Sequence, residues 1–335
     1  MIKAFLKDSI VYTLPALFSR GIGILLLPIY TRIASPEELG ALDLFIAFGN
    51  IVTIIVAFEI TQGISRYIPN ADKLAGKYAF IGLIFTAITY SLAMFLLVYY
   101  SDSISQLLTR SDEYKFEFLL ALSYITCNAF YYYFQNLLRF SGRSVQFAIS
   151  SSIYAGLNLS FAFTFGFILN LSLSGILFAL LFSSLLSAFI SLLFLRSYFE
   201  ITFNIEPLAK LLKFSIPLIP SSILVILSLY IDRFFINYFL GIESVGVYSI
   251  AIKVASVSSL LIIGFQMALT PLIYKHYKSP ETPRDLSLIF KYFSIFALIF
   301  FMAFSIFSNN ILILLTSPSF YGASEIIPGL VLAFF

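Results

Sequence analysis

The sequence predicts an all-α, polytopic membrane protein: two six-helix bundles facing each other across a central cavity, with the second bundle incomplete. Three observations carry this. Ten long apolar stretches fill nearly all of the 335 residues. Lys and Arg gather in every second gap between them. The residue pattern repeats after about two hundred positions.

Composition sets the solvent. Hydrophobic residues make up 60% of the chain and charged residues 11%, against about 25% charged in a soluble globular domain. Lipid is therefore the main solvent. A bilayer core of ~30 Å needs about 20 apolar residues in a helix. Spans are expected near 9–33, 41–63, 78–100, 116–138, 145–169, 172–195, 211–238, 246–271, 287–313 and from 323 onward. These runs are continuously apolar, not alternating over ten-residue strands, which excludes a membrane β-barrel. The first span is too long for a signal-peptide core, and no small-x-small cleavage site follows it, so it reads as a retained helix.

The N-terminus and every second gap hold fourteen basic residues: Lys3, Lys7, Arg66, Lys73, Lys77, Arg139, Arg143, Arg196, Lys210, Lys213, Lys275, Lys278, Arg284 and Lys291. The opposite gaps hold three: Arg32, Arg110 and Lys115. Basic residues are retained in cytoplasmic loops, so the N-terminus is expected in the cytoplasm. No gap leaves room for a soluble domain, and function must lie inside the bundle or at its lipid-facing grooves.

Shifted by 206, Phe5-Leu6-Lys7 falls on Leu211-Leu212-Lys213, Glu37 on Glu243 and Gly40 on Gly246. Shifted by 207, Leu107-Leu108-Thr109 falls on Leu314-Leu315-Thr316 and Tyr114 on Tyr321. The rhythm of any helix–loop–helix protein is the competing explanation for such matches. An even number of spans per unit gives parallel repeats about an axis along the membrane normal. The expected division is 1–198 as one six-helix lobe, 199–210 as a cytoplasmic linker and 211–335 as a second lobe with about four helices. Symmetry predicts at least ~75 further residues and two more spans beyond Phe335.

Nucleic-acid binding has no support, because no basic patch large enough to grip phosphates occurs outside the short loops. Cys127 is the sole cysteine and His276 the sole histidine. Neither an internal disulfide nor a His-built metal site is expected, and no cofactor is called for.

Three basic residues, Arg20, Arg233 and Lys253, fall inside spans. A charge at mid-membrane costs several kcal/mol and usually faces a cavity or a partner. Arg20 is expected near the midplane, where its planar fork of donors suits phosphate oxygens; the alternative is a structural pair with Glu59. Asp232 and Arg233 are neighbours about 100° apart on their helix. Arg233 and Lys253 read as a second cationic contact, or Asp232 and Lys253 as a bridge between two helices. Arg66, at the cytoplasmic end of its span, and Arg32, at the outer end of the first, are further anion contacts or plain anchors. Glu59, Asp43 and Asp232 are candidates for coupling to a proton or sodium gradient. Pro15, Pro28, Pro217, Pro220 and Pro271 are expected to kink their helices. The run Phe130-Tyr131-Tyr132-Tyr133-Phe134 is expected to pack on lipid and helices, with sugar stacking as the alternative.

Several short segments carry a family resemblance. They are Leu6-Lys7-Asp8-Ser9, Ser19-Arg20-Gly21, Leu27-Pro28-Ile29-Tyr30-Thr31-Arg32, Ser35-Pro36-Glu37-Glu38-Leu39-Gly40 and Ser65-Arg66-Tyr67. Asp232-Arg233, Leu240-Gly241 and Val245-Gly246-Val247-Tyr248 extend it into the second unit. The chain resembles Wzx-type oligosaccharide flippases of the multidrug/oligosaccharidyl-lipid/polysaccharide exporter superfamily. The resemblance implies movement of undecaprenyl-pyrophosphate-linked oligosaccharide across the bacterial inner membrane by alternating access. It implies no enzymatic step, a role in O-antigen or related surface polysaccharide, and other membrane proteins of polysaccharide assembly as partners. Two rivals remain. One is a cation-coupled multidrug exporter, which would favour a cavity richer in carboxylates. The other is a membrane-embedded polymerase, which would need acid/base residues in a sizeable outer loop, where only Asp102, Asp112 and Glu113 stand.

Overall fold

A computed structural model describes residues 21, 23–70, 74–262, 265, 269, 273 and 282–334. They are helical almost throughout, with no strand among them. Seven of these helices are long and apolar enough to cross a membrane. The chain is a polytopic all-α membrane protein, as expected. Contacts divide it into one unit up to Val245 and a second from Gly246.

In the first unit, α1 (Gly23–Ile33) leads into α2 (Pro36–Ala57). The start of α2 is a capping box. The Glu38 backbone N–H donates to Ser35 Oγ, and the Ser35 backbone N–H donates to Glu38 Oε2 at 2.8 Å. Two of the orphan N–H groups of the first turn are thereby satisfied. Ser172 Oγ lies 2.6 Å from the same carboxylate, so the Ser35–Gly40 motif ties a helix start to the foot of a distant helix. Leu27, Tyr30 and Thr31 of the first motif are likewise buried, with Arg32 exposed beside them. Both motifs are read here as packing devices.

The span expected at 41–63 is broken. Phe58 and Glu59 both adopt left-handed backbone, and α3 (Ile60–Tyr67) starts anew. Neither residue is glycine, so each carries a cost of about 1–2 kcal/mol. Contacts of α3 with α9 (Glu206–Ser215) offset it. The Gly63 N–H donates to Ser215 Oγ at 3.0 Å. A Cβ on Gly63 would lie 2.9 Å from the Leu211 carbonyl oxygen, so only glycine allows this approach.

The remaining helices are α4 (Ala75–Tyr99), α5 (Ser101–Thr109), α6 (Lys115–Phe140), α7 (Ser144–Phe163), α8 (Leu173–Leu195) and α10 (Ile219–Leu240). The gap 101–115, read as a loop, holds α5, an amphipathic helix of about two and a half turns that follows a break at Tyr100. The chain is helical from Glu206, inside the stretch expected as a linker. Pro217 lies in a 3-10 turn, Ile216–Leu218, and Pro220 sits in the first turn of α10, where a missing N–H costs least. Pro15 and Pro271 lie outside the described residues. α6 packs along α8 and α7 on α8 through small buried residues, including Ala121, Ala155, Ala179 and Ser183, which let backbones approach closely in lipid. A polar seam crosses this packing: Gln135 Nε2 donates to Ser150 Oγ at 2.7 Å, and Ser150 Oγ lies 2.6 Å from Ser191 Oγ.

α11 (Ile242–Ala255) begins at the division between the units. In the second unit, α12 (Thr282–Ile306) is followed by α13 (Ser308–Leu315), a 3-10 segment at Pro318–Glu325 and α14 (Ile327–Ala333). α14 packs on α12. The span expected at 287–313 is the 25-residue α12, set earlier in the chain and ending before Phe307, and the stretch expected from 323 begins in the 3-10 segment, with α14 starting at Ile327. The repeat is visible in the helix bounds. α4 and α12 are both 25 residues long and offset by 207 at each end (75 to 282, 99 to 306). α2 and α11 start 206 apart (36 to 242).

Candidate functional site

The site lies within the first unit, along α2 and α10. These helices run antiparallel, and their two ends differ.

At one end they are pinned by charge. Arg233 Nε donates to Asp43 Oδ2 at 3.0 Å, and Arg233 Nη1 donates to Asp232 Oδ1 at 2.7 Å. Asp43 is 8% exposed and Arg233 6%. The Arg233 guanidinium also covers the Tyr230 ring at 4.9 Å. Two charges can be carried at this depth only as a hydrogen-bonded pair. One turn on, Asn237 Nδ2 donates to the Leu108 carbonyl at 2.7 Å. Arg110 Nη1 donates to the Tyr238 carbonyl at 3.1 Å and lies over the Tyr238 ring at 4.6 Å. This end of α10 is latched to α2 and to the end of α5.

Two turns away on both helices, about 10 Å, they part around a cavity of about 530 Å3. Each neighbouring helix gives it one stripe at helical spacing. α2 presents Asn50, Thr53 and Ala57; α4 presents Thr86 and Tyr90; α6 presents Asn128, Tyr132 and Tyr133; α10 presents Ser221, Ser222, Val225 and Ile226. The break at Phe58–Glu59 aims the first turn of α3 at the same space, adding Glu59, Thr61 and Gln62. Glu59 is the one charged side chain in the lining among the described residues. The Tyr90 hydroxyl, 2% exposed and beside Thr53, has no hydrogen-bond partner of normal geometry. Tyr133 is already engaged, donating to the Ala79 carbonyl at 2.7 Å.

Several residues expected from the sequence come together here and others do not. Asp43, Asp232 and Arg233 form one cluster; the pairing of Arg233 runs to Asp43, 190 residues away. None of the three lines the cavity. Arg233 Nε and Nη1 donate to the two carboxylates, and Nη1 also to the Leu229 carbonyl. Glu59 reaches the cavity. Arg32 is exposed and its Nη1 donates to the Pro28 carbonyl at 2.9 Å. Arg66 is exposed, away from the cavity lining. Lys253 lies on α11, in the second unit, half-buried. Arg20 lies outside the described residues, so its pairing with Glu59 stays an expectation. Asp102 pairs with Lys115 at 2.6 Å, both side chains exposed. Tyr132 and Tyr133, from the aromatic run, do line the cavity.

A family model described as polysaccharide biosynthesis protein matches residues 5–276. The chain belongs to the polysaccharide biosynthesis protein family. The resemblance drawn from the motifs is therefore borne out. The fold matches solved transporter structures. An inward-facing multidrug resistance MATE transporter of the MOP superfamily aligns with a TM-score of 0.71 at 20% identity, over 94% of this chain and 78% of that one. A MATE structure in the straight conformation gives 0.65 at 22% identity, over 99% and 80%. A MOP superfamily transporter from Pyrococcus furiosus, whose description reports a binding pocket of reversed polarity, gives 0.66 at 21% identity, over 98% and 80%. No curated protein matches the chain in sequence.

The neutral polar stripes were missed by a reading that followed charge. Asn50 and Thr53, three apart, and Asn128 and Tyr132, four apart, are the signal that was there: uncharged hydrogen-bonding groups on one face of a lipid-solvated helix.

Proposed function

We propose that the chain is a flippase that moves undecaprenyl-pyrophosphate-linked oligosaccharide from the cytoplasmic to the periplasmic leaflet by alternating access, for surface polysaccharide biosynthesis. The observation that carries this reading is the asymmetry of α10 in a chain of this family: a polar cavity at one end and a latch at the other. The excess of basic residues supports a cytoplasmic Ile219 end of α10, with the N-terminus on the same side. The cavity then opens towards the leaflet where lipid-linked sugars are made, and the Asp43–Arg233 pair closes the periplasmic side. Opening the latch while closing the cavity end would expose the same space to the other leaflet. No covalent step is needed.

The anionic pyrophosphate needs cations along its route. Arg20, Arg233, Lys253, Arg66 and Arg32 are the proposed contacts. Arg233 is available to the headgroup only in the outward-open state, so substrate contact and gating share one residue. Glu59, Asp232 and Asp43 are the proposed points at which an ion gradient acts.

The test is deletion of the gene in its bacterial host, with restoration by the full-length gene or an Arg20→Ala copy. Loss of surface polymer with accumulation of inner-leaflet lipid-linked intermediates is the expected result, copied by Arg20→Ala at normal protein level. Unchanged surface polymer would remove the polysaccharide reading and direct attention to drug export.

A further inference from the structure

The cavity itself says something about which sugars can enter it. We propose that it is the glycan subsite of the transported lipid, that it takes an uncharged sugar bearing hydroxyl and N-acetyl groups, and that Glu59 selects against acidic sugars. This rests on the flippase reading and narrows it.

The lining is built for neutral hydrogen bonding. Asn50, Gln62, Asn128, Ser221 and Ser222 come from four helices and offer both donors and acceptors towards one space. In a membrane span such groups are costly unless a partner meets them. The Tyr90 hydroxyl is the sharpest case, buried at the wall with its hydrogen bond unmade, and a buried polar group in that state calls for a ligand or water. The half-open face of Tyr132 supplies a flat apolar surface, suited to the C–H face of a sugar ring. The volume of about 530 Å3 lies within the range of about 300–1,000 Å3 that holds small ligands.

The charge balance sets the class. Among the described residues no cation lines the cavity, and its single carboxylate is Glu59. The backbone fixes that carboxylate: two left-handed residues in succession turn α3 so that its first turn faces the cavity. A uronic or sialic acid carboxylate entering this space meets a like charge, with no cation beside it among the described residues, in surroundings that screen poorly. The same repulsion disfavours the pyrophosphate beside Glu59, leaving this part of the route to the sugar. An amide of an N-acetyl group matches Asn and Gln side chains with no charge on either side. A site that hydrogen-bonds its substrate's hydroxyl groups also rejects analogues lacking them.

The experiment is a flipping assay with the full-length protein in proteoliposomes. Two fluorescent probes are compared: polyprenyl-pyrophosphate carrying an N-acetylglucosamine disaccharide, and the same lipid carrying a disaccharide that ends in glucuronic acid. Wild-type protein is expected to flip the neutral probe at least tenfold faster. Glu59→Gln is expected to shift the neutral-to-acidic rate ratio towards one by at least fivefold. Tyr90→Phe, a conservative change that keeps the ring, is expected to slow the neutral probe several-fold. Size-exclusion profiles check that each variant is folded. Equal rates for the two probes in wild type, or a ratio that neither variant moves, overturn the glycan subsite while leaving flipping intact. Failure of wild-type protein to flip either probe overturns the flippase reading and the subsite with it. Glu59-dependent uptake of tetraphenylphosphonium without flipping of either probe would identify a cation site instead.

Discussion

The two ends of α10 are built from opposite chemistry. At the Leu240 end, charge and amide groups meet protein partners within 3.1 Å: Arg233 on Asp43, Asn237 on Leu108, Arg110 on Tyr238. At the Ile219 end, equally polar side chains face open space, and Tyr90 across from them lacks a partner. At one end the side-chain donors Arg233 and Asn237 meet protein acceptors, with Asn237 Oδ1 left buried and unpartnered; at the other the polar side chains face the cavity. In lipid, where burial alone does not drive helices together, hydrogen bonds and close packing decide which contacts hold.

The largest effect is expected from breaking the ion pair. Asp43→Ala leaves Arg233 buried with only the half-exposed Asp232. Removing one partner of a buried pair costs about 3–5 kcal/mol, so the latched state should lose population to an outward-open one. Cys127 is the sole cysteine, so a Cys127→Ser background carrying Ser222→Cys gives one reporter in the cavity. Labelling by an impermeant maleimide from the periplasmic side should rise several-fold in Asp43→Ala. The exchanged pair Asp43→Arg with Arg233→Asp should lower it again. Unchanged labelling would mean that the pair is structural and that the latch lies elsewhere.

The cavity end has its own weak point, at α3. Gly63→Val would drive its side chain into the Leu211 backbone and Ser215 Oγ, the latter 2.8 Å from an added Cβ. Overpacking of this kind costs about 1–3 kcal/mol. A lower thermal midpoint is expected, with loss of flipping, because α3 would no longer aim Glu59 inward. A variant of wild-type stability and activity would show that the α3–α9 approach does not set the cavity.

How much of this was legible in the sequence differs between the same two ends. The helices, their alternation and the repeat follow from apolar run length and from where Lys and Arg fall, and the bounds of α4 and α12 keep the 207-residue offset. Arg233 was legible as a buried charge needing a partner. Its buried partner was not, because Asp43 is distant in sequence while Asp232 is its neighbour, and only the packing of α2 on α10 brings Asp43 to it. The cavity was harder still. Each of its helices contributes two to four ordinary residues, and the break that turns Glu59 inward occurs at Phe58–Glu59 with neither glycine nor proline to mark it. Tertiary contact through Gly63 holds that break, and a one-dimensional reading has no term for it. The proline signal did work where the backbone could absorb it, at Pro217 and Pro220.

Two smaller changes grade the latch. Asn237→Ala removes the donor to the Leu108 carbonyl and leaves that oxygen buried without its bond, which costs about 1–3 kcal/mol. It should raise periplasmic labelling of the Ser222→Cys reporter less than Asp43→Ala does. Arg110→Ala should do least. Its guanidinium is exposed, and a cation–π contact of that kind contributes about 0.5–1 kcal/mol. Water and salt compete for an exposed charge but not for the buried pair at Arg233. Raising ionic strength from 0.05 to about 0.5 M should therefore erase the difference between wild type and Arg110→Ala, while the effect of Asp43→Ala persists. If salt abolished both differences alike, the Asp43–Arg233 pair would have to be open to solvent, and the closed end of α10 would not be closed.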